Sequence, residues 1–259
     1  MDVYKAKFGE PELGWVVLVH GLGEHSGRYG RLIKELNEAG FAVYAFDWPG
    51  HGKSPGKRGH TSIEDAIEII DYIIAELGEK PFLFGHSLGG LTVIRYTETR
   101  PDKIRGVIAS SPALAKSPET PGFMVALAKF LGKVAPGVVL SNGIKPELLS
   151  RNKETVRRYV EDPLVHDRIS AKLGRSTFMN MELAHREVER IEVPVLLLVG
   201  TGDVITPPEG SRRLFEKLNV KDKTLWEFEG AYHEILEDPE WADEFYGTIV
   251  EWMVEHARG

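Results

Sequence analysis

The sequence predicts an α/β fold in which a mostly parallel central sheet is covered by helices on both faces. Apolar, β-rich runs alternate with helical patterns through most of the chain, and each run is apolar throughout rather than at every second position. Strands that are buried on both faces read as continuous apolar runs, and strands that alternate with helices favour parallel pairing. The chain has 259 residues, of which 42% are hydrophobic, and is therefore long enough to bury a substantial core.

The first half of the sequence contains three consecutive strand–helix units. In chain order they are "WVVLVHG" with a helix at 29–39, "FAVYAFD" with a helix at about 62–77, and "PFLFGHS" with a helix at about 88–99. The spacing from Thr61 to Glu64 indicates a capping box at the start of the second helix. "IRGVIASSPAL" follows as a further buried strand.

From about residue 115 the pattern changes to helical segments that are broken by Pro and Gly. The strand pattern returns at "VPVLLLVGTGD" and is followed by a helix at 208–218, a strand in "TLWEFEGAYH" and a last helix in "EWADEFYGTIVEWMVEHA". We therefore predict one α/β domain formed by residues 1–114 and 187–259, with a helical cap inserted at 115–186. An insertion of about 70 residues is expected to carry structure of its own.

The composition excludes several classes of protein and site. The net charge is −7 with His neutral, and no run rich in Lys and Arg occurs, which argues against nucleic acid as a partner. Cysteine is absent, which excludes disulfides and thiolate catalysis, and the nine histidines lack metal-ligand spacing, so we expect no metal site. We find no leader pattern and no run of about 18 apolar residues, and expect a cytoplasmic protein. Glutamine is absent and Lys, Arg and Glu are plentiful, which indicates a heat-adapted source.

The pentapeptide "GHSLG", residues 85–89, predicts a nucleophilic serine. It matches the pattern G-x-S-x-G and lies between a buried strand and a helix, which is the context that a nucleophile elbow requires. Gly85 and Gly89 allow neighbouring backbone to approach the sharp turn, so Ser87 is expected to stand exposed above the carboxyl edge of the sheet. A serine hydroxyl alone is a weak nucleophile and needs a base that is held by an acid.

Both partners that Ser87 needs occur at later strand ends. Asp203 follows "VPVLLLVGTG" and His233 follows "LWEFEGAY", which gives the expected order Ser, Asp, His. We predict that Asp203 fixes the tautomer of His233, and that His233 takes the proton from Ser87 and returns it to the leaving alcohol. A chance pentapeptide beside an unrelated turn aspartate is the alternative, and it is disfavoured because three roles coincide with three strand ends.

The glycine-dense loop "HGLGE", residues 20–24, could be read as a phosphate cradle. Gly21 and Gly23 match the first two glycines of a dinucleotide fingerprint, but Ser26 occupies the third place and Glu24 adds a carboxylate where a pyrophosphate needs donors. The loop instead predicts half of an oxyanion hole, because the second amide of such a hole comes from the loop after an earlier strand. We call residues 20–24 the oxyanion loop, and expect the amides of Leu22 and of Leu88, the residue after the nucleophile, to bind the oxyanion.

Five segments carry a family resemblance: "HGLGEHSGRY", "DWPGHGKSPGKRG", "GHSLGG", "VLLLVGTGD" and "EGAYHEILEDPE". Together they resemble the monoacylglycerol lipase and lysophospholipase branch of the α/β-hydrolase superfamily, of serine aminopeptidase S33 type. The resemblance covers nearly the whole chain outside the cap. It implies an α/β-hydrolase fold whose cap is inserted between the sixth and seventh family strands. Only "VYKAKFG" precedes "WVVLVHG", so the first family strand is expected to be missing.

The resemblance also implies an activity. It implies a serine esterase that hydrolyses monoacylglycerols to free fatty acid and glycerol through an acyl-enzyme, with a mobile cap over an acyl tunnel and no cofactor. Carried over position by position, it makes Ser87, Asp203 and His233 the triad and Leu22 and Leu88 the oxyanion donors, and it places Glu24 and Arg28 near the glycerol end of the substrate.

The cap segment "FMVALAKFLGKV" is apolar nearly all round. Its apolar residues are expected to line the acyl chain or to touch a lipid surface transiently, and packing within the cap is the alternative. The residues predicted to bind substrate in this way are Phe123, Met124, Leu127 and Leu131.

Three histidines near the predicted site have other expected roles. His86 is adjacent to the nucleophile, but its side chain is expected to point away from Ser87. His20 is expected to be a buried, hydrogen-bonded support for the oxyanion loop. His51 lies in "DWPGHGKS", which is expected to be a structural turn that ties two loops together.

Two further readings of the function remain open. A broad carboxylesterase, a lysophospholipase or a thioesterase would share the triad but lack the preference for a glycerol end. A non-catalytic binding protein on the same fold is disfavoured, because all three members of the triad are present.

Overall fold

The computed structural model describes residues 2–258, which contain nine strands and eight α-helices. The strands are β1 (Lys5–Phe8), β2 (Gly14–Val19), β3 (Phe41–Phe46), β4 (Phe82–His86), β5 (Gly106–Ser110), β6 (Val139–Ser141), β7 (Arg168–Ser170), β8 (Val195–Gly200) and β9 (Lys223–Phe228). The helices are α1 (Gly30–Glu38), α2 (Ile63–Leu77), α3 (Leu88–Thr99), α4 (Gly122–Val134), α5 (Lys153–Glu161), α6 (Ala171–Glu187), α7 (Glu209–Lys217) and α8 (Ala242–Arg258).

Seven of the strands form one sheet in the order β1-β3-β2-β4-β5-β8-β9. All neighbouring pairs in this sheet are parallel except β1 and β3, which confirms the predicted mostly parallel sheet. The edge strand β1 has no counterpart among the predicted strands, because Lys5 and Lys7 interrupt its apolar pattern and the strand is only partly buried. Charged residues are common on edge strands, where they hinder pairing with other chains.

Helices cover both faces of the sheet, and the sheet divides the core into two layers. Alternate residues of β2 contribute to different layers. Val17 and Val19 pack in the layer that contains α2 and α3, and Val16 and Leu18 pack in the layer that contains α1 and α8. All four side chains are fully buried. A strand that is covered on both faces needs apolar residues at every position, which explains the continuous apolar runs in the sequence.

The start of α2 lies one residue later than the predicted capping box. The N-cap is Ser62, whose hydroxyl accepts a hydrogen bond from Asp65 N at 3.2 Å, so the box assigned to Thr61 and Glu64 is wrong. The Glu64 carboxylate instead accepts hydrogen bonds from Ser176 and Asn180 of α6. The spacing alone did not distinguish Thr61 from its neighbour Ser62 as the residue that caps the helix.

The segment predicted as a helical cap contains a small sheet as well as helices. Between α4 and α6, β6 and β7 form an antiparallel pair of three residues each, too short to give a sequence pattern. Helix α6 packs on α4 and also on α2 and α3, and its Leu173 and Ala184 belong to the core layer beside α2. The division of core and cap at residues 115 and 186 stays a prediction.

The parallel strands place four loops at one edge of the sheet. The loop after β2 carries Leu22, the turn after β4 carries Ser87, the loop after β8 carries Asp203 and the loop after β9 carries His233. Ligand sites of open α/β sheets lie outside the carboxyl ends of the strands, so this edge is the candidate site. Within residues 2–258, the helices are all too short or too polar to cross a lipid bilayer.

Candidate active site

The turn between β4 and α3 holds Ser87 in a strained conformation. Its backbone angles are φ 56° and ψ −117°, and residues other than glycine rarely adopt a positive φ. A Cβ at Gly85 would clash with the carbonyl of Gly89, and one at Gly89 with the carbonyl of Val19, so both positions require glycine. Ser87 is half-buried and occupies the N-cap position of α3, where its hydroxyl makes no hydrogen bond to the helix.

Three predicted residues meet in one hydrogen-bonded series. Ser87 Oγ lies 2.9 Å from His233 Nε2, and His233 Nδ1 lies 2.7 Å from Asp203 Oδ2. Because an ionised carboxylate only accepts hydrogen bonds, Nδ1 carries the proton and Nε2 is free to accept the proton of Ser87. The structure thus brings together the three side chains in the order that proton transfer from a serine needs.

Burial and charge act in opposite directions on the two buried members. His233 is only 3% exposed, and this burial lowers its pKa, but the Asp203 carboxylate and its hydrogen bond outweigh burial and raise the pKa on balance. Burial raises the pKa of Asp203, but the charge of His233 and the hydrogen bonds to the carboxylate lower it below its usual value. Asp203 is therefore ionised and stabilises a protonated His233.

The Asp203 carboxylate is held by its own turn. Oδ1 accepts hydrogen bonds from Ile205 N at 2.8 Å and Thr206 N at 3.0 Å, and the Thr206 hydroxyl lies 2.8 Å from Oδ2. The same hydroxyl lies 2.9 Å from the carbonyl oxygen of Ser111. Thr206 was not among the sequence candidates, although its place three residues after a candidate acid is where a side chain can close such a turn.

The two amides predicted to form an oxyanion hole are available for a ligand. Leu88 N is the first amide of α3 and has no intrahelical acceptor, and neither it nor Leu22 N donates to another group within residues 2–258. A Cβ at Gly21 would lie 3.1 Å from Ser87 Cβ, so the oxyanion loop passes directly beside the nucleophile. The assignment of Leu22 and Leu88 as oxyanion donors stays a prediction that this arrangement supports.

Glu24, the last residue of the oxyanion loop, and Arg28, four residues later, form an internal network. Glu24 Oε1 accepts hydrogen bonds from Gly21 N and the Tyr29 hydroxyl, both at 2.6 Å. Arg28 Nη1 donates to Glu24 Oε2 at 2.7 Å, and Arg28 also contacts both carboxylate oxygens of Glu234. Burial raises the pKa of Glu24, but Arg28 and other neighbours lower it to about 2. Both residues therefore have protein partners, and their contact with substrate stays a prediction.

Two histidines beside the site, His20 and His86, are buried and have hydrogen-bond partners in the protein. His20 is fully buried, donates from Nδ1 to Gly21 O at 2.8 Å and accepts at Nε2 from Trp48 N at 3.1 Å, as expected for a support of the oxyanion loop. His86 Nδ1 lies 3.2 Å from Ser110 Oγ, and its ring centroid lies 4.8 Å from that of His233. Burial lowers the pKa of His86 to about 4, so the ring is neutral.

The "DWPGHGKS" segment is tied together through its aspartate. Asp47 Oδ1 accepts hydrogen bonds from Ser26 N at 2.8 Å and Ser26 Oγ at 2.6 Å, and Oδ2 accepts one from Lys53 N at 2.9 Å. These bonds join the loop after β2 to the loop after β3, as expected for a structural turn. His51 is buried within it, with Nδ1 3.2 Å from Pro49 O.

The candidate residues of the cap helix face outward. Phe123, Met124 and Leu127 are 70%, 45% and 43% exposed, Leu131 is half-buried, and α4 rests on α6. This arrangement leaves an apolar surface on α4 rather than a packed interior, and the proposed contact of these four residues with an acyl chain stays a prediction.

Within residues 2–258, no three His, Asp or Glu side chains are grouped so that they could hold a metal ion.

Comparisons with known proteins show the family to which this chain belongs. The family model described as serine aminopeptidase, S33, matches residues 10–240. An uncharacterised abhydrolase domain-containing protein of Dictyostelium discoideum is 35% identical over 93% of this chain, and the chain spans 26% of the length of that protein. The monoacylglycerol lipase of Mycolicibacterium smegmatis is 33% identical, over 94% of this chain and 89% of that protein. The crystal structure of Paleococcus ferrophilus monoacylglycerol lipase is 77% identical over 99% of this chain and 100% of that one, with a TM-score of 0.98.

Proposed function

We propose that this chain, which belongs to the serine aminopeptidase S33 family, hydrolyses monoacylglycerols to a free fatty acid and glycerol through an acyl-enzyme intermediate. The observation that carries the proposal is the hydrogen-bonded series from Ser87 through His233 to Asp203. The choice of substrate is supported by the similarity of this chain to the monoacylglycerol lipases of Mycolicibacterium smegmatis and Paleococcus ferrophilus. The second of these is 77% identical to this chain.

Acylation begins when Ser87 Oγ attacks the ester carbonyl carbon and His233 Nε2 takes the serine proton. The negative charge that develops on the carbonyl oxygen is bound by the amides of Leu22 and Leu88, which have no other acceptor within residues 2–258. Asp203 stabilises the protonated His233, which then donates its proton to the glycerol oxygen as the C–O bond breaks. Glycerol leaves, and the acyl group stays on Ser87.

Deacylation repeats these steps with water as the nucleophile. His233 Nε2 removes a proton from a water molecule, the resulting hydroxide attacks the acyl carbonyl, and the same two amides bind the oxyanion. The tetrahedral intermediate collapses, His233 returns the proton to Ser87 Oγ, and the fatty acid is released. No metal or organic cofactor takes part in this proposed mechanism.

The glycerol end of the substrate is proposed to lie beside Arg28 and Glu24. Arg28 is the more accessible of the two, with 14% of its side chain exposed, against 5% for Glu24. A guanidinium that is held between carboxylates presents its remaining N–H groups in a fixed direction, which suits recognition of a free hydroxyl. An ester without glycerol hydroxyls would leave this donor without a ligand, which disfavours binding.

The cap is proposed to deliver lipid to this site. Its outer apolar residues include Phe123, Met124, Leu127 and Phe130, which are between 43% and 70% exposed. An exposed apolar surface on a helix is typical of a contact with lipid or with another protein. We propose that it touches lipid aggregates transiently while Leu131 and its neighbours guide the acyl chain.

The proposal is tested by steady-state rates on three esters of one fatty acid: its monoacylglycerol, its methyl ester and its lysophospholipid. We expect kcat/KM to be highest for the monoacylglycerol. Equal values for the monoacylglycerol and the methyl ester would favour a broad carboxylesterase, and a preference for the lysophospholipid would favour a lysophospholipase. Hydrolysis of none of them, with full labelling of Ser87 by a fluorophosphonate, would contradict the lipid substrate but not the nucleophile.

A further inference from the structure

A buried carboxylate that the mechanism does not use lies next to the catalytic base. Glu234 follows His233 directly and is only 3% exposed. Burial of a charged carboxylate is costly unless a partner compensates it. Arg28 supplies that partner with two hydrogen bonds, Nη1 to Oε1 at 2.7 Å and Nη2 to Oε2 at 2.9 Å, in the bidentate arrangement that fixes the position of both groups.

The Arg28 guanidinium continues this contact to the oxyanion loop. Nη1 also donates to Glu24 Oε2 at 2.7 Å, and Glu24 Oε1 accepts from Gly21 N at 2.6 Å. Gly21 precedes Leu22 in the oxyanion loop. A series of three side chains therefore joins the turn that carries the base to the loop that carries one oxyanion donor.

The backbone around His233 is held on its other sides by different groups. Ser111 Oγ donates to His233 O at 2.8 Å, and Glu234 N donates to Leu149 O at 2.7 Å. Neither bond reaches the oxyanion loop. Of the hydrogen bonds that Glu234 forms within residues 2–258, only those to Arg28 connect its turn to that loop.

We propose that Glu234 is a positioning residue. Through Arg28 and Glu24, its carboxylate holds His233 in a fixed position relative to the oxyanion loop. The inference rests on the proposed function in that both concern one serine hydrolase site, but it does not depend on which ester is hydrolysed. Proton transfer and oxyanion binding occur in the same transition state, so the base and the amides must be held in a fixed relation to the same carbonyl. Glu234 acts only through its partners, and among the described residues no hydrogen bond joins it to Ser87.

The charge of Glu234 also bears on the base itself. The charged or titratable groups that act on His233 are Asp203, Glu234, Glu24 and His86, and Arg28 is paired with Glu234. Burial lowers the pKa of His233, and Asp203 and then Glu234 and Glu24 raise it. Loss of the Glu234 charge should therefore lower the pKa of His233. Because His233 must be neutral to act as a base, the low-pH limb of the rate profile should move to lower pH.

An ordinary ion pair that only stabilises the fold is the alternative, and the chain contains a matched control. Asp238 lies four residues further on, is 2% exposed, and receives a similar fork from Arg151, with Nε to Oδ2 at 2.8 Å and Nη2 to Oδ1 at 2.7 Å. This second pair does not connect to the oxyanion loop. Glu234→Gln and Asp238→Asn therefore each remove one negative charge from a buried carboxylate that an arginine binds in a bidentate manner. Of the two pairs, that of Glu234 with Arg28 joins the catalytic groups.

The test compares these variants in three measurements: the pH dependence of fluorophosphonate labelling of Ser87, kcat and KM for a monoacylglycerol and the methyl ester of the same acid, and Tm. For Glu234→Gln we expect labelling, and kcat for both esters, to fall about tenfold with little change in KM for the methyl ester, and the low-pH limb to shift to lower pH. A further loss for the monoacylglycerol alone would come from Arg28, which Glu234 also holds in place. Asp238→Asn should lower Tm but leave the rates and the limb unchanged. Glu234→Asp keeps the charge but shortens the side chain, so it should lower kcat while the limb stays in place.

Several results would overturn the proposal. Wild-type rates and an unshifted limb in Glu234→Gln, with a fall in Tm like that of Asp238→Asn, would show an ion pair without a positioning role. If Glu234→Gln does not fold, wild-type kcat in Glu234→Asp would overturn it equally. A loss confined to the monoacylglycerol would assign Glu234 to substrate recognition instead. Labelling without ester hydrolysis in the wild type would refute the proposed substrate, while the labelling rates would still decide the role of Glu234.

Discussion

Replacement of Thr206 by Val removes one hydroxyl beside the acid of the triad and preserves the shape of the side chain. The hydroxyl lies 2.8 Å from Asp203 Oδ2, 2.9 Å from Ser111 O and 3.1 Å from His233 Nδ1. It has a single proton, and the charged carboxylate is the strongest acceptor within reach. The change therefore deprives Asp203 of one charge-assisted hydrogen bond.

The size of the effect follows from what Asp203 retains. A hydrogen bond to a charged group contributes about 1.5–3 kcal/mol, which corresponds to a change in rate of about 10- to 150-fold. Asp203 keeps the amides of Ile205 and Thr206 and the N–H of His233. With three of four donors left, we expect the lower end of this range, a fall of about tenfold in kcat/KM.

The assay is kcat/KM for one monoacylglycerol, with Thr97→Val as the control. Thr97 is also buried, and its hydroxyl donates to Val93 O at 2.7 Å within α3, remote from the triad. Both variants should lose some stability, which is measured as Tm, and only Thr206→Val should lose activity. An unchanged kcat/KM in Thr206→Val, or an equal loss in both variants, would refute the reasoning that Thr206 supports the acid.

Three further predictions concern the rest of the site. Arg28→Lys keeps the positive charge but removes the planar fork, so kcat/KM should fall more for a monoacylglycerol than for the methyl ester of the same acid; an equal loss would remove Arg28 from substrate recognition. The pKa of His233 is raised, so kcat/KM should fall as the pH drops through a value above about 6.5, and a limb well below that value would contradict the influence of Asp203. Replacement of Phe123 and Phe130 by Ser should weaken sedimentation with lipid vesicles while leaving the rate on a short-chain, water-soluble ester unchanged, and undiminished sedimentation would exclude this surface as the lipid contact.

The parts of the fold that the sequence predicts are those that local patterns encode. The strands β2, β3, β4, β5 and β8 are continuous apolar runs because helices cover both faces of the sheet. The edge strand β1 and the short pair β6 and β7 lack such a run, because partly exposed strands tolerate charged residues and three residues show no period. Boundaries depend on side-chain partners, as the one-residue shift of the α2 cap illustrates.

The same distinction holds for the candidate site. Ser87 could be proposed because the elbow is a local motif, and Asp203 and His233 because each follows a strand end. The pair of Arg28 with Glu234 could not be proposed, because its members are 206 positions apart and no pattern in the chain links them. The exposure of the α4 residues could not be predicted either, because an apolar helix has the same sequence pattern whether or not another element covers it.

The central claim is that Ser87 is the nucleophile with which this chain hydrolyses monoacylglycerols. Its most direct test is the turnover of one purified monoacylglycerol by the wild type and by Ser87→Ala at equal enzyme concentration. The Tm of both proteins is measured to confirm that the variant is folded. The account predicts glycerol and free fatty acid from the wild type, and a fall in turnover of about 10⁴-fold or more in the variant. A Ser87→Ala enzyme that retains a tenth of the wild-type turnover would contradict it.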